Sequence, residues 1–442
     1  MNSKGLADII KECGVVGAGG AGFPTYMKID ERANTILMNC AECEPLLKLH
    51  RQLLQLHAQE IVETFALIAD VVGAEEAIIG VKEEYRQTIA SLMGCIDAYP
   101  KVKLHLLQGA YPMGDEVVLI YEATGKVISP GGLPIEAGVA VLNVETVYNI
   151  YRGMQESAPV TDKVVSVVGE VENPVTVRVP LGCTIEETVA QAGKVTIDHP
   201  VYLLGGPMMG RIGNASDTIT KTTNAILVLP EDHFIIQRKN GNTSIELKRA
   251  ASVCCQCQMC TDLCPRHALG HPIEPHKFMR SAANRDFQNT SVFLDTFFCS
   301  SCGLCELFSC PQGLSPRTLI GVYKDGLRKS GVKVPKGVTA TPVQDARAYR
   351  KVPEKRLEAR LGLTKYDRPA PLQDTVIPVK KVKESLSQHI GAPAIANVKK
   401  GTFVERGQKI ADAAAGLSVP IHASIDGIVT DVTERYIIIE AK

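Results

Sequence analysis

Nine of the fourteen cysteines fall between Cys254 and Cys310, in a pattern suited to iron–sulfur chemistry. The first run reads Cys254-x2-Cys257-x2-Cys260-x3-Cys264-Pro265, and the second Cys299-x2-Cys302-x2-Cys305-x4-Cys310-Pro311. A [4Fe–4S] cubane takes three thiolates from one tight turn and a fourth from elsewhere. In two-cluster chains the fourth cysteine of each run serves the other cluster. The spacing therefore assigns Cys254, Cys257, Cys260 and Cys310 to one cluster, and Cys299, Cys302, Cys305 and Cys264 to the other. Pro265 and Pro311 end the local turns and free the fourth ligands to cross over. Zinc sites use separated cysteine pairs rather than triplets at this spacing. Disulfides need an oxidising compartment, and Met1–Gly5 has no apolar core of a secretion signal. Cys255 is spare, expected as a small packed residue or a shielded neighbour of the cluster.

A second chemical stretch is Gly17-Ala18-Gly19-Gly20-Ala21-Gly22-Phe23-Pro24-Thr25, followed by Lys28. Without side chains in the way, backbone N–H groups can close on a phosphate. The run also fits G-x-G-x-x-G, with Glu42 twenty residues beyond Gly22. A dinucleotide fold, however, wants a strand before the glycines. Here Leu6, Ile9, Ile10 and Cys13 have helical spacing.

Three further segments give this run its meaning. In order they are Asn39-Cys40-Ala41-Glu42-Cys43-Glu44-Pro45, Gly109-Ala110-Tyr111-Pro112-Met113-Gly114-Asp115-Glu116, and Leu142-Asn143-Val144-Glu145-Thr146. With the glycine run they resemble the flavin loops of the NADH-binding 51-kDa subunit of respiratory complex I and of the Rnf C subunit. The resemblance implies FMN held by Gly17, Gly19, Gly20, Ala21, Lys28, Asn39, Asn143 and Thr146, with Tyr111 and Gly114 beside it. It implies nicotinamide dinucleotide near Phe23, Glu42, Glu44 and Glu116. Complex I carries aspartate where Ala41 stands and glycine where Leu46 stands. The chemistry belongs to the cofactors, so no side chain is named as catalytic.

The elements that must position these residues follow from periodicity. Apolar runs at Thr35–Met38, Ala77–Val81 and Val102–Leu107 read as strands, separated by helices near 48–72, 83–96 and 114–123. Such an α/β layer over 1–155 binds ligands at the loops along one sheet edge. Short strands at Val164–Val171, Val175–Val179, Tyr202–Gly205 and Ala225–Leu229 surround one helix, Thr184–Ala192. They resemble the SLBB β-grasp module over 160–235, for which bridging between domains is the expected role. Residues 245–330 form the ferredoxin-like two-cluster domain, closed by a helix at Pro316–Lys329. His267, His271 and His276 are expected to be structural. Residues 331–372 read as a linker with one charged helix, Pro353–Leu361, facing solvent. Residues 373–442 resemble the barrel-sandwich hybrid that opens the Rnf C subunit. No lysine lies between Lys409 and Lys442 to carry a swinging arm.

The chain of 442 residues carries 48 basic and 48 acidic side chains, a balance that points to neither nucleic acid nor a membrane surface. No apolar run reaches the ~20 residues of a spanning helix. The fold class is multidomain α/β plus α+β. The domain order resembles PduS-type cobalamin reductases of bacterial microcompartments. That resemblance implies an NADH-dependent oxidoreductase with FMN and two [4Fe–4S] clusters. Its partners would be cobalamin or a cobalamin-dependent enzyme, together with microcompartment proteins, in the cytoplasm or inside a microcompartment. An Rnf-like NADH:ferredoxin or flavodoxin oxidoreductase is the alternative. A docking scaffold with relict cofactors is disfavoured by the intact ligand sets.

Overall fold

A computed structural model describes residues 1–442. The first domain is built on a parallel sheet in the spatial order Val102–Leu107, Glu76–Lys82, Thr35–Cys40, Val139–Asn143. These strands are buried on both faces, by the Phe65-centred core on one side and the Leu119–Ile120 core on the other. That explains their continuous apolar runs. The chain moves outward from Thr35–Cys40 through two strands, then returns to the opposite side of that first strand. The reversal opens a crevice at the strands' carboxyl ends, where open α/β sheets bind ligands. Asn39 and Asn143 stand opposite each other in register at that edge. The long helix expected over 48–72 is two helices, Leu49–Leu56 and Ala58–Val72, which meet at His57.

The second domain is a six-stranded sheet wrapped around the helix Ile185–Ala190, which Thr184 and Glu187 cap reciprocally. Its edge strand is Leu372–Val376, pairing in parallel with Val175–Pro180. That strand crosses the expected boundary at 372/373. Residues 331–372 are therefore a strap rather than a solvated linker. Val352–Pro353 pairs with Ala110–Tyr111, Glu354 reaches the fully buried Lys82, and Arg347 and Lys351 pair with Glu122. The weak periodicity of this stretch has a physical reason: each residue answers a distant partner instead of a repeating face. The charged helix itself spans Glu354–Arg360.

The cluster domain packs the helices Thr243–Val253, Pro275–Asn284 and Pro316–Lys329 around Phe278, Phe293 and Tyr323, whose rings lie 5.3–6.0 Å apart. The last domain is two facing antiparallel sheets of four and three strands. No helix is long and apolar enough to cross a membrane.

Two buried polar junctions lock the domains together. Asp162 receives Arg152 of the first domain at 2.9 Å, Arg178 of its own at 2.8 Å and Arg406 of the last at 2.8 Å. Although burial opposes ionisation, these arginines hold its carboxyl well below the usual range. The other junction is less well matched. Lys221 donates to the carbonyl oxygens of Gly14 and Pro420 from three different parts of the chain. Burial pushes the nearby Glu384 carboxyl up to about 7, and its Oε2 has no partner.

A pH dependence follows from Glu384. Between pH 4.5 and about 7 the unfolded chain sheds this proton and the folded chain keeps it. Stability therefore falls across that window and is lost in full above it. Glu384→Gln keeps an acceptor for the Ser424 N–H, which now binds Oε1 at 3.0 Å. The variant should match the parent in thermal melts at pH 4.5–5 and exceed it by ~1–3 kcal/mol at pH 8. An equal offset at both pH values would refute the assignment.

Candidate cofactor cleft and iron–sulfur relay

The crevice at the sheet edge opens into a cleft of about 1450 Å³. Ligand pockets usually measure ~300–1,000 Å³, so more than one cofactor-sized group fits. Gly17, Gly19, Gly20, Ala21, Phe23, Lys28, Asn39, Glu42, Glu44, Tyr111, Gly114, Glu116, Asn143 and Thr146 all line it. Thr146 Oγ1 accepts from the Ala18 N–H at 3.0 Å and pins the glycine loop to the helix Val144–Gln155. Asn39 spans the floor, donating to Gly114 O at 2.9 Å and accepting from Ala41 N at 3.0 Å. Lys28 donates to Val141 O at 2.7 Å and pairs with Glu116 at 3.2 Å.

Glu42 and Glu44 differ from the expectation. Glu42 accepts the N–H groups of His50 and Arg51 at 2.9 and 3.1 Å, at the start of the helix Leu49–Leu56. An acid there meets the positive end of the helix dipole. Glu44 accepts the N–H groups of Met208 and Met209 at 2.8 and 3.0 Å, and burial pushes its carboxyl up to about 6. Both carboxylates are loop anchors in this structure. Their expected place beside a dinucleotide is corrected accordingly. Leu46, two residues on, holds φ +72, a left-handed conformation at the position where complex I carries glycine.

The cleft also contains polar atoms that the protein leaves unanswered. Thr25 Oγ1, His50 Nε2 and Asn224 Oδ1 line it, buried without hydrogen-bond partners. Burial pushes the His50 imidazole down, so it faces the cleft uncharged. Side chains are excluded where the backbone must stay bare: a Cβ on Gly19 would lie 2.9 Å from Asn143 Nδ2, and one on Gly114 2.6 Å from Ala41 O. Orphaned polar atoms around a glycine cradle fit a polar, phosphate-bearing cofactor such as FMN. None of Thr25, His50 or Asn224 sits in a recognisable motif. Only their convergence in the fold exposes them.

The cysteines form two groups. Burial pushes the Cys260 thiol up to about 12, and Cys310, Cys254 and Cys257 are the charged neighbours that push it further. Burial likewise raises Cys264 to about 11, with Cys299 beside it, and raises Cys302, with Cys264 and Cys299 beside it. Cys305 lies with Cys299 and Cys302 and also feels Cys260, so the two groups adjoin. The fourth cysteine of each run thus lies with the other run's triplet. Gln256 and Gln258 in the first turn have φ +53 and +65, and Ser301 and Gly303 at the same offsets have +61 and +82. One backbone turn is used twice. Gln256 Nε2 donates to Cys254 Sγ at 3.2 Å, Ser301 N to Cys299 Sγ at 3.3 Å and Leu314 N to Cys310 Sγ at 3.3 Å. Buried thiols with such donors become thiolates against a cation, which suits iron.

One contact joins cleft and cysteines. Cys302 lines the cofactor cleft, and Tyr111 Oη donates to its carbonyl oxygen at 2.6 Å. At the far side, Cys255 and Cys257 are exposed to solvent. His271 donates to Ile128 O at 2.9 Å, and His276 meets Thr261 at 2.7 Å, away from any cysteine.

Comparison with known proteins follows this plan. A Nuo51 FMN-binding domain matches residues 10–152, an SLBB domain 164–212, a 4Fe-4S dicluster domain 253–315 and an RnfC barrel sandwich hybrid domain 365–442. Cobalamin reductase PduS of Citrobacter freundii is 40% identical over 438 residues, 99% of this chain and 96% of that protein. The Salmonella typhimurium protein of the same name is 41% identical over 439 residues, with the same coverage. The chain belongs to the PduS cobalamin reductase family. It is accordingly an NADH-dependent oxidoreductase with FMN and iron–sulfur clusters as cofactors. A more distant relative is the RnfC-type component of an ion-translocating oxidoreductase complex from Edwardsiella ictaluri, 32% identical to this chain over 275 residues. That match covers 61% of this chain and 33% of that protein.

Proposed function

We propose that this chain accepts hydride equivalents from NADH in the cleft and delivers single electrons to the cobalt of a corrinoid, serving a B12-dependent pathway in a bacterial microcompartment. Cys302 carries the reading, because one proposed cluster ligand lines the same cleft as the glycine loop. When bound, FMN exchanges a two-electron hydride for single electrons, which the cubanes carry one at a time. Gly17, Gly19, Gly20 and Ala21 leave backbone open to its phosphate, with Lys28, Asn39, Asn143 and Thr146 around it. Phe23 and Glu116 remain at the cleft for the dinucleotide. Cys299, Cys302, Cys305 and Cys264 hold the nearer cluster. Cys254, Cys257, Cys260 and Cys310 hold the outer one, where exposed Cys257 marks the exit to the acceptor.

A corrinoid is favoured over ferredoxin or flavodoxin because the cobalamin reductases match 99% of the chain, whereas the ion-translocating relative matches 61%. The test offers NADH and the protein, without oxygen, to cob(III)alamin, cob(II)alamin, ferredoxin and flavodoxin in parallel, following each visible spectrum. Cob(III)alamin should be reduced readily and cob(II)alamin more slowly. Much faster reduction of either protein acceptor would replace this reading with the Rnf-like one.

A further inference from the structure

We infer that the SLBB domain completes the cofactor cleft, with Asn224 as a flavin-nucleotide ligand supplied by a different domain from the glycine loop. This rests on the FMN reading above and goes beyond a bridging role for the module.

Two loops of the SLBB domain reach the cleft. The first carries Met208 and Met209, whose N–H groups bind the Glu44 carboxylate. The second runs from Ile219 to Asn224 and is held from three sides. Lys221 N donates to Gln388 Oε1 at 3.1 Å, Lys221 Nζ to Gly14 O at 2.6 Å, and Ser166 N to Asn224 O at 3.0 Å. Gly22 has φ +69, and a Cβ there would lie 2.7 Å from Thr222 Cγ2. The glycine loop is therefore shaped to let this second loop approach. At its tip, Asn224 Nδ2 would sit 3.3 Å from a Cβ on Gly19, on the same side as the Asn143 amide.

So much anchoring around a carboxamide whose Oδ1 is buried and unpartnered has a cost, unless a ligand answers it. The chemistry that answers is an N–H or O–H donor held above Gly19. A flavin nucleotide carries both kinds, in its ring imide and its ribityl hydroxyls. Cofactor binding and SLBB docking then become linked: ligand held by residues of two domains ties them together.

The experiment uses the full chain with flavin removed, titrated with FMN by quenching of flavin fluorescence. Asn224→Ala should weaken FMN roughly tenfold, the loss of about one buried hydrogen bond. Its flavin-free melting curve should match the parent, since Oδ1 bonds nothing in the protein. Adding FMN to the parent should slow amide hydrogen exchange at 219–224, and the variant should lose most of that protection. Unchanged FMN affinity in Asn224→Ala would overturn the inference and leave the SLBB domain a bridge. A destabilised flavin-free variant with unchanged exchange on FMN addition would also overturn it, by assigning Asn224 a structural role. Failure of the parent to bind FMN would instead strike the flavin reading itself.

Discussion

Cys264→Ser should remove the cluster beside the cofactor cleft while sparing the outer one. In the chain, Cys264 belongs to the run Cys254–Cys264; in space, its neighbours are Cys299 and Cys302. Serine offers a harder and more basic donor than thiolate, and at a buried site it cannot ionise without a large desolvation penalty. The iron content of anaerobically prepared protein should fall from about eight to about four per chain. The remaining signal in electron paramagnetic resonance should be that of the outer cluster. Because Cys302 alone ties the cluster domain's ligands to the cleft, losing this cluster cuts the route at its first step. NADH oxidation with an artificial dye, which meets the flavin directly, should change by less than about twofold. Reduction of the physiological acceptor should fall ~100-fold or more, a barrier increase of about 2.7 kcal/mol. Loss of the outer signal with the inner one intact would show that the ligands do not cross over.

What could be read from the sequence was what local spacing dictates. Three cysteines at two-residue intervals specify a ligand turn whatever surrounds them, and the doubled run implies the exchange of fourth ligands. The glycine run and the asparagines at the ends of two strands were legible for the same reason. The roles of Glu42 and Glu44 were not. An acid's task depends on which donors face it, and those facing Glu44 belong to Met208 and Met209, more than 160 residues away. The strand Leu372–Val376 was hidden similarly, since it completes a sheet begun two hundred residues earlier. The left-handed backbone at Gln256, Gln258 and Ser301 left no glycine to betray it. Nor could periodicity place Asn224 over Gly19. That proximity comes from docking two domains, each with its own core.

Gly19→Val should abolish FMN binding without unfolding the chain, and the choice of glycine matters. Gly20 has φ +65, where a side chain costs roughly 1–2 kcal/mol of backbone strain. Any change there mixes lost binding with lost stability. Gly19 carries no such conformation, and a Cβ on it would meet only the ends of Asn143 and Asn224, at 2.9 and 3.3 Å. Those amides can turn aside into the cleft, so the flavin-free variant should melt within ~1 kcal/mol of the parent. With FMN present the outcome differs. The valine methyls would occupy the space between the two amides, where the backbone must otherwise lie bare against the cofactor. Affinity should fall at least ~100-fold, and the rise in melting temperature that FMN gives the parent should disappear. Gly19→Ala, with a single methyl, should lie between the two. Iron content should stay at the parent's level in both variants, because no cysteine ligand touches this loop. NADH oxidation with any acceptor should fall in step with flavin content, unlike the Cys264→Ser variant, which keeps its dye reaction. Full flavin occupancy in Gly19→Val would mean that the cofactor does not approach the glycine loop, and the cleft would have to be assigned another ligand.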